Sequence, residues 1–105
     1  MDFTNLVVIT ACPNQSEADL VSRSLIAEKL AACVQSSVIT SRYRWRGKIE
    51  VKQEVRLLIK TKVSCFDELV RHIRESLSYE NPEILGLPVL IGSEDYLSWI
   101  NDETI

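Results

Sequence analysis

Apolar and polar residues alternate most regularly on either side of Arg46-Gly47, in the segment from about Cys33 to Thr61. In its second half, large apolar residues lie on one side of a two-residue period and charged residues on the other, which predicts a half-buried strand. The apolar positions are Ile49, Val51, Val55, Leu57 and Ile59. The first half is rich in β-branched and aromatic residues, which also favour a strand. With Gly47 at the turn, the pattern predicts a β-hairpin with arms of about 12 residues, or roughly 40 Å.

A hairpin of this length is comparable to the diameter of a compact chain of this size. A two-stranded ribbon that projects beyond its own core is only marginally stable in water. We therefore expect another chain to cover the hairpin, which is a first argument for an oligomer.

The segment before the hairpin predicts a strand and a helix. The segment from Asn5 to Ala11 contains the mainly apolar run LVVITA, as expected of a central strand. Cys12-Pro13 interrupts it, and Ser16 is a plausible N-cap for a helix. Apolar residues at helical spacing carry this helix to the neighbourhood of Ala32.

The segment after the hairpin predicts a helix and then a strand, the reverse of the order before the hairpin. Ser64 is a plausible N-cap of a second helix, which ends near Ser78 because Pro82 follows. An apolar strand is predicted over 84–91, with Pro88 placing it at a sheet edge or a bulge. A short helix from Ser93 closes the chain.

This order of elements predicts an α+β, ferredoxin-like β-α-β-β-α-β domain over residues 1–105, with a short C-terminal helix. Both longer helices would cover one face of a four-stranded sheet. The first and last strands, LVVITA and ILGLPVLI, are nearly apolar on both sides. We therefore expect partner chains to bury the second face, which is another argument for an oligomer.

Composition excludes several classes of protein. The chain has 12 basic and 15 acidic residues and a net charge of −3, which argues against general binding to nucleic acids or membrane surfaces. The start, Met1-Asp2-Phe3, leads into a strand pattern without a signal peptide, and no apolar run is long enough for a membrane span. Cys12, Cys33 and Cys65 form no metal-type pair, which fits reduced thiols in the cytoplasm.

The sequence offers little support for an enzyme. Its single histidine, His72, lies beside Arg71 and Glu75 in the second helix pattern, which favours an exposed residue without a catalytic or metal role. A Ser-His-Asp triad or a histidine metal cage lacks its other members. The three glycines are scattered, so no phosphate-binding loop is predicted.

Cys12 allows two interpretations. It stands between a strand and the start of a helix, where the helix dipole could lower the pKa of the thiol and make it a nucleophile or a metal ligand. The favoured alternative is a small residue that fills the end of a strand.

The segment 42–48, RYRWRGK, interleaves basic and aromatic residues as in a platform for single-stranded nucleic acid. A two-residue period, however, places Tyr43 and Trp45 on the face opposite the arginines. In one of the registers that the sequence allows, Arg42 and Arg44 face Glu50 across the hairpin. We favour packing of the two aromatic residues against a partner chain over stacking on bases.

The acids Glu80 and Glu83 flank Pro82 in the segment YENPEI. Because hard cations take oxygen ligands, these two carboxylates could share a divalent cation with a neighbouring chain. The alternative is a rigid turn whose acids are solvated or paired with a basic side chain.

Several sequence blocks, taken together, resemble the CutA divalent-cation tolerance family. They are LAACV (30–34), YRWRGKIE (43–50), LIKT (58–61), YENPEI (79–84), LPV (87–89) and YLSWI (96–100). The resemblance implies a ferredoxin-like fold and a tight homotrimer bridged by the long hairpins, similar in architecture to PII signal-transduction proteins. It also implies a role in tolerance of copper and other divalent metals, by binding rather than catalysis. The alternative is a PII-like regulator that senses a small molecule or a partner protein without a metal site.

The resemblance also suggests site residues. Positions that match the shared pattern, and would line a ligand cleft, are Tyr43, Trp45, Glu50, Lys60, Tyr79, Glu80 and Glu83. The positions of the copper ligands proposed in some members here hold Thr10, Ser76 and Leu77, none of which is a good copper ligand. Cys12 is the remaining candidate for a metal ligand. The expected occupants of the cleft are copper, another divalent cation or a small anionic ligand.

Overall fold

The computed structural model of the chain describes residues 3–105, so the prediction about Met1 and Asp2 lies outside the described residues. The elements are β1 (Asn5–Cys12), α1 (Gln15–Ala27), β2 (Cys33–Trp45), β3 (Lys48–Lys62), α2 (Phe66–Ser76), β4 (Ile84–Pro88) and α3 (Glu94–Asp102). A short 3-10 turn, Val63–Cys65, joins β3 to α2. The predicted β-α-β-β-α-β order with a C-terminal helix is confirmed.

The four strands form one antiparallel sheet in the order β2-β3-β1-β4. The long strand β3 pairs with β2 along one side and with β1 along the other. Strand β4 is an edge strand, which agrees with the prediction from Pro88, because proline cannot donate to a further ladder.

The core lies between one face of the sheet and helices α1 and α2. Its fully buried side chains come from the sheet and from both helices, and they include Val8, Leu57 and Ile59 from the sheet, Val21 and Leu25 from α1, and Leu69 and Ile73 from α2. Burial of each such aliphatic side chain contributes about 1.5–3 kcal/mol.

Helix α1 begins and ends earlier than the sequence predicts. Its N-cap is Asn14, not Ser16, because the Asn14 side-chain oxygen accepts a hydrogen bond of 2.9 Å from the Glu17 backbone N–H. The helix ends at Ala27 because Lys29 takes a left-handed conformation with φ 57°. The Leu30 N–H then donates to the Leu25 carbonyl, which closes the last turn.

Two further predicted boundaries are wrong. Ser64 lies inside the 3-10 turn and does not cap α2, which begins at Phe66 without a capping side chain. Strand β4 ends at Pro88 rather than at Ile91, because Pro88 is already opposite Leu6, close to the start of its partner β1.

The predicted long hairpin is confirmed. Strand β2 has 13 residues and β3 has 15, and the longest dimension of the molecule is 44 Å. Arg46 and Gly47 form the turn with φ angles of 52° and 78°, the left-handed region that two-residue hairpin turns require. The register places Tyr43 opposite Glu50 and not Arg42 or Arg44.

The face of the sheet opposite α1 and α2, here called the open face, carries apolar side chains. On β4 it exposes Leu85 and Leu87, at 54% and 48%. Helix α3 reaches one end of this face, where Asn101 accepts hydrogen bonds from Asn5 and Lys62. None of the helices in residues 3–105 has the length and hydropathy needed to cross a membrane.

Candidate functional site

The distal half of the hairpin and the turn that follows α2 border a half-open cavity of about 680 Å³, here called the hairpin cavity. Strand alternation brings three consecutive same-side residues of β3 to its wall, Glu50, Lys52 and Glu54. The further charged and aromatic lining residues are Arg42, Tyr43, Trp45, Tyr79, Glu80 and Glu83. The cavity is therefore an aromatic site with an excess of carboxylates.

Tyr79 fixes the turn against the hairpin. Its hydroxyl donates a hydrogen bond of 2.6 Å to Oε2 of Glu54, a carboxylate that is only 8% exposed. Burial, and then the hydrogen bond to Glu54, raises the pKa of Tyr79 well above its usual value. Tyr79 is therefore a neutral donor at physiological pH.

The neighbouring Ser78 is held by the start of α1. Glu17 accepts a hydrogen bond of 2.7 Å from the Ser78 backbone N–H and one of 3.0 Å from its hydroxyl. One carboxylate therefore satisfies both donors of the residue next to Tyr79. This contact positions the turn relative to the rest of the domain.

The ammonium group of Lys52 lies between two tyrosine rings. Its Nζ atom is 4.7 Å from the ring centre of Tyr79 and 5.8 Å from that of Tyr43, both within the range of a cation–π interaction. Hydrogen bonding to the Tyr43 side chain raises the pKa of Lys52, and the charges of Glu54 and Glu50 add to the rise. One ammonium group, that of Lys52, thus already lies in the cavity.

A salt bridge closes the rim of the cavity at the tip of the hairpin. Arg46 Nη2 lies 2.7 Å from Glu80 Oε2, and the Arg46 guanidinium lies 5.4 Å from the ring centre of Trp45. Both charged side chains are largely exposed, so the pair contributes at most about 1 kcal/mol to stability. Within the single chain, Glu80 is therefore paired with a basic side chain.

The structure brings most of the predicted cleft residues together. Those that line the hairpin cavity are Tyr43, Trp45, Glu50, Tyr79, Glu80 and Glu83. Lys60 does not, because its Nζ atom lies 3.4 Å from the Tyr96 hydroxyl beneath α3. Lys52 and Glu54 were not predicted as site residues, although they share the two-residue period of Glu50. That period would have identified them once the register of the hairpin was known.

Cys12 is fully buried in the core, not at an accessible helix terminus. Burial, followed by the charges of Glu17 and Glu54, raises its pKa to about 11. This shift is the opposite of the lowered pKa that one interpretation of the sequence required. Cys12 is therefore a protonated core thiol at neutral pH.

The donors present do not form a metal site within one chain. Thr10 and Leu77 are buried in the core, and Ser76 ends α2. Within the part of the chain that the structure describes, no three His, Cys, Asp or Glu residues are grouped so that they could hold a metal ion.

His72 was predicted to be exposed, and the structure shows it partly buried. Its side chain is 20% exposed, and Nδ1 lies 3.1 Å from the Ser24 hydroxyl of α1. The reason is that α1 packs beside α2, which covers the edge of the helix surface that carries His72.

The antiparallel sheet, the three helices and the long β2–β3 hairpin place the chain in the ferredoxin-like class of α+β proteins. The model of the CutA1 divalent ion tolerance protein family matches residues 6–103. The chain therefore belongs to the CutA1 divalent ion tolerance protein family.

Relatives in sequence and structure agree with this assignment. The Divalent-cation tolerance protein CutA of Escherichia coli is 41% identical over 101 residues, which cover 93% of this chain and 88% of that protein. The crystal structure of CutA1 from Oryza sativa superposes with a TM-score of 0.94 at 36% identity, covering 98% of this chain and 95% of that chain.

Other relatives carry names that refer to different compartments. Protein CutA, chloroplastic, from Arabidopsis thaliana is 37% identical over 101 residues, covering 95% of this chain and 56% of that protein. The structure of the Periplasmic divalent cation tolerance protein CutA from Archaeoglobus fulgidus has a TM-score of 0.92 at 31% identity, covering 94% and 97% of the two chains. Membership of the family therefore does not fix the compartment of this chain.

Proposed function

We propose that this protein acts in the tolerance of divalent metal ions, copper in particular, as a cytoplasmic homotrimer that binds its ligand and does not catalyse a reaction. Membership of the CutA1 family supports the first part of the proposal. The observation that carries the binding mode is the hairpin cavity, whose wall presents four carboxylates against two cationic side chains, Arg42 and Lys52.

The homotrimer is supported by surfaces that a single chain leaves uncovered. Leu85 and Leu87 lie side by side with the first strand on the open face, and Trp99 of α3 is 41% exposed. Contiguous apolar surface of this kind is typical of an interface between subunits. A neighbouring subunit on this face would also approach the hairpin.

Metal binding by this chain would rest on oxygen ligands. Because Cys12 is a buried, protonated thiol, the accessible candidates are the carboxylates Glu50, Glu80 and Glu83. Since one chain groups too few donors among its described residues, a divalent cation would be shared between subunits, with each contributing part of the shell. The ion would be the protein's ligand and not a resident cofactor.

The test is a calorimetric titration of the apoprotein with Cu²⁺, Zn²⁺ and Ni²⁺. Glu83→Gln removes a cavity carboxylate, and Glu28→Gln removes an exposed acid that directly follows α1 and does not line the cavity. We expect saturable binding that Glu83→Gln weakens by about tenfold or more and that Glu28→Gln leaves unchanged, since loss of a ligand removes over about 1.4 kcal/mol. Equal binding by all three proteins would contradict a metal site in the cavity.

A second candidate function is a PII-like regulator that binds a small molecule. The specific observation in its favour is the size of the hairpin cavity, because about 680 Å³ falls within the range of about 300–1,000 Å³ for ligand pockets. The aromatic rings of Tyr43, Trp45 and Tyr79 provide the apolar contact area that small molecules need. The excess of carboxylates favours a cationic ligand over the small anion predicted from the sequence.

A further inference from the structure

We propose that the hairpin cavity binds an organic cation with terminal primary amines, a diamine or polyamine, and that Lys52 holds the ammonium position until this ligand displaces it. This inference rests on the second proposed function, the binding of a small molecule. It assigns the chemical class of the ligand for that site.

The position of Lys52 shows what the cavity wall attracts. Its ammonium lies 4.7 Å and 5.8 Å from the ring centres of Tyr79 and Tyr43, so it faces the electron-rich surfaces of two rings. Glu50 lies opposite Tyr43 in the hairpin ladder, on the same side of the sheet. The site therefore combines aromatic faces with a carboxylate, the combination that recognises alkylammonium groups.

The second end of such a ligand would meet further carboxylates. Glu80 and Glu83 lie on the turn across the cavity from Glu50. Glu80 already pairs with Arg46, whereas Glu83 forms no salt bridge within residues 3–105 and is exposed. A chain with an ammonium at each end would thus find an aromatic site at one end and a free carboxylate at the other.

Within one chain, an organic ammonium fits these residues better than a bare divalent ion does. A divalent ion needs several oxygen ligands at about 2.0–2.6 Å, and no group of three or more donors is assembled for it in residues 3–105. Alkylammonium groups need no fixed coordination shell, and their methylene chains pack against rings such as Tyr43 and Trp45. The aromatic rings provide apolar contact area for an organic cation, which a hard metal ion does not need.

Displacement of Lys52 costs little. The residue is exposed, and a lysine ammonium on a four-carbon stem reaches water by rotation about its side-chain bonds. Once the Lys52 ammonium has moved into water, the rings of Tyr43 and Tyr79 can contact an ammonium group of the ligand instead. Lys52 therefore competes with the ligand, and its removal should increase the affinity.

The experiment titrates the full chain with three probes of equal length and different charge. Hexamethylenediamine carries two ammonium groups, adipate carries two carboxylates, and hexamethylene glycol is uncharged. Calorimetry reports binding, and so does a change in tryptophan fluorescence that Trp99→Phe leaves in place, because Trp45 lines the cavity and Trp99 does not. We expect saturable binding of the diamine and no binding of the other two probes.

Variants then locate the diamine. Lys52→Gln should tighten binding by about three- to tenfold, because it removes the ammonium group that competes with the ligand for the tyrosine rings. Tyr43→Leu should weaken binding by a similar factor, and Glu28→Gln should have no effect. Because Lys52 is exposed, Lys52→Gln tests the proposal even if Tyr43→Leu folds poorly. Unchanged or weaker affinity in Lys52→Gln would overturn it.

The outcomes separate this inference from the proposed functions. Saturable binding of adipate, with none of the diamine, would overturn the inference and leave the small-molecule regulator standing. If none of the three organic probes binds but Zn²⁺ binds in a manner sensitive to Glu83→Gln, the inference and the regulator fail together while the metal function stands. Equal loss of diamine affinity in Glu28→Gln and Tyr43→Leu would show attraction to a negatively charged protein only, and would also overturn the inference.

Discussion

The hydroxyl of Tyr79 donates a 2.6 Å hydrogen bond to Glu54. This bond joins the turn after α2 to the centre of β3, although the whole of α2 separates the two residues in the sequence. The bond provides a donor for the carboxylate of Glu54, a residue that is only 8% exposed. Because the same two side chains line the hairpin cavity, the contact that stabilises the turn also shapes the candidate site.

Replacing Tyr79 with phenylalanine should therefore lower the free energy of unfolding by about 1–3 kcal/mol, because the change leaves a buried acceptor without its donor. Guanidinium unfolding at a fixed protein concentration measures the effect. The double variant with Glu54→Leu isolates the pairwise contribution. If the two single losses simply add in the double variant, the hydrogen bond contributes nothing to stability.

The raised pKa of Cys12 predicts a dependence of stability on alkaline pH. An unfolded thiol ionises near pH 9.0, and the folded thiol ionises near about 11. The folded state thus binds more protons between these values, so stability is full below the lower pKa and falls as the pH rises toward the upper one. A shift of this size corresponds to about 2–3 kcal/mol at most.

The measurement is the free energy of unfolding of the wild type and of Cys12→Ala at intervals between pH 8 and pH 11. We expect a steeper fall in the wild type, with the difference confined to the alkaline range. Tyr79 also has a raised pKa, mainly through burial and the hydrogen bond to Glu54, and the charge of Cys12 is the smallest of its causes, so most of its contribution is common to both proteins and cancels. Parallel curves would contradict the assigned pKa of Cys12.

The fold was predictable because the spacing of apolar residues along the chain indicates most of its strands and helices. The alternation of Ile49, Val51 and Val55 identified β3, and the apolar spacing around Leu69 and Ile73 identified α2. The helix ends were less predictable. They depend on which of several short polar residues turns its side chain to the backbone, and only the structure shows that Asn14 does so.

The candidate site was predictable in part, and the limit was the register of the hairpin. A change of one residue in the turn would move Glu50 from Tyr43 to one of the arginines. The sequence also could not show that Lys52 reaches Tyr79, because that contact joins β3 to a turn after α2. For the same reason the sequence could not show that Lys60 lies beside Tyr96 of α3 and does not line the hairpin cavity.

The turn of the hairpin provides a prediction about backbone conformation. Gly47 has φ 78° and no atom near the position of an added side chain. Gly47→Ala should therefore lower stability by about 1 kcal/mol through backbone strain alone. Comparing thermal or guanidinium unfolding of Gly47→Ala with that of Gly92→Ala separates strain from crowding, because Gly92 lacks a positive φ but lies against Leu97. A neutral or stabilising Gly47→Ala would contradict the assigned turn.

The exposed apolar residues of the open face predict a specific effect on assembly. Leu87, 48% exposed on β4, and Leu20, 55% exposed on α1, are leucines of similar exposure on opposite sides of the domain. If the open face is buried between subunits, Leu87→Glu places a charge in an apolar interface and should dissociate the trimer. Leu20→Glu adds the same charge to a helix surface in water and should leave the trimer intact. Native mass spectrometry at micromolar concentration distinguishes the two. A wild-type monomer, or a trimer that survives Leu87→Glu as well as Leu20→Glu, would show that this face is not where the subunits meet.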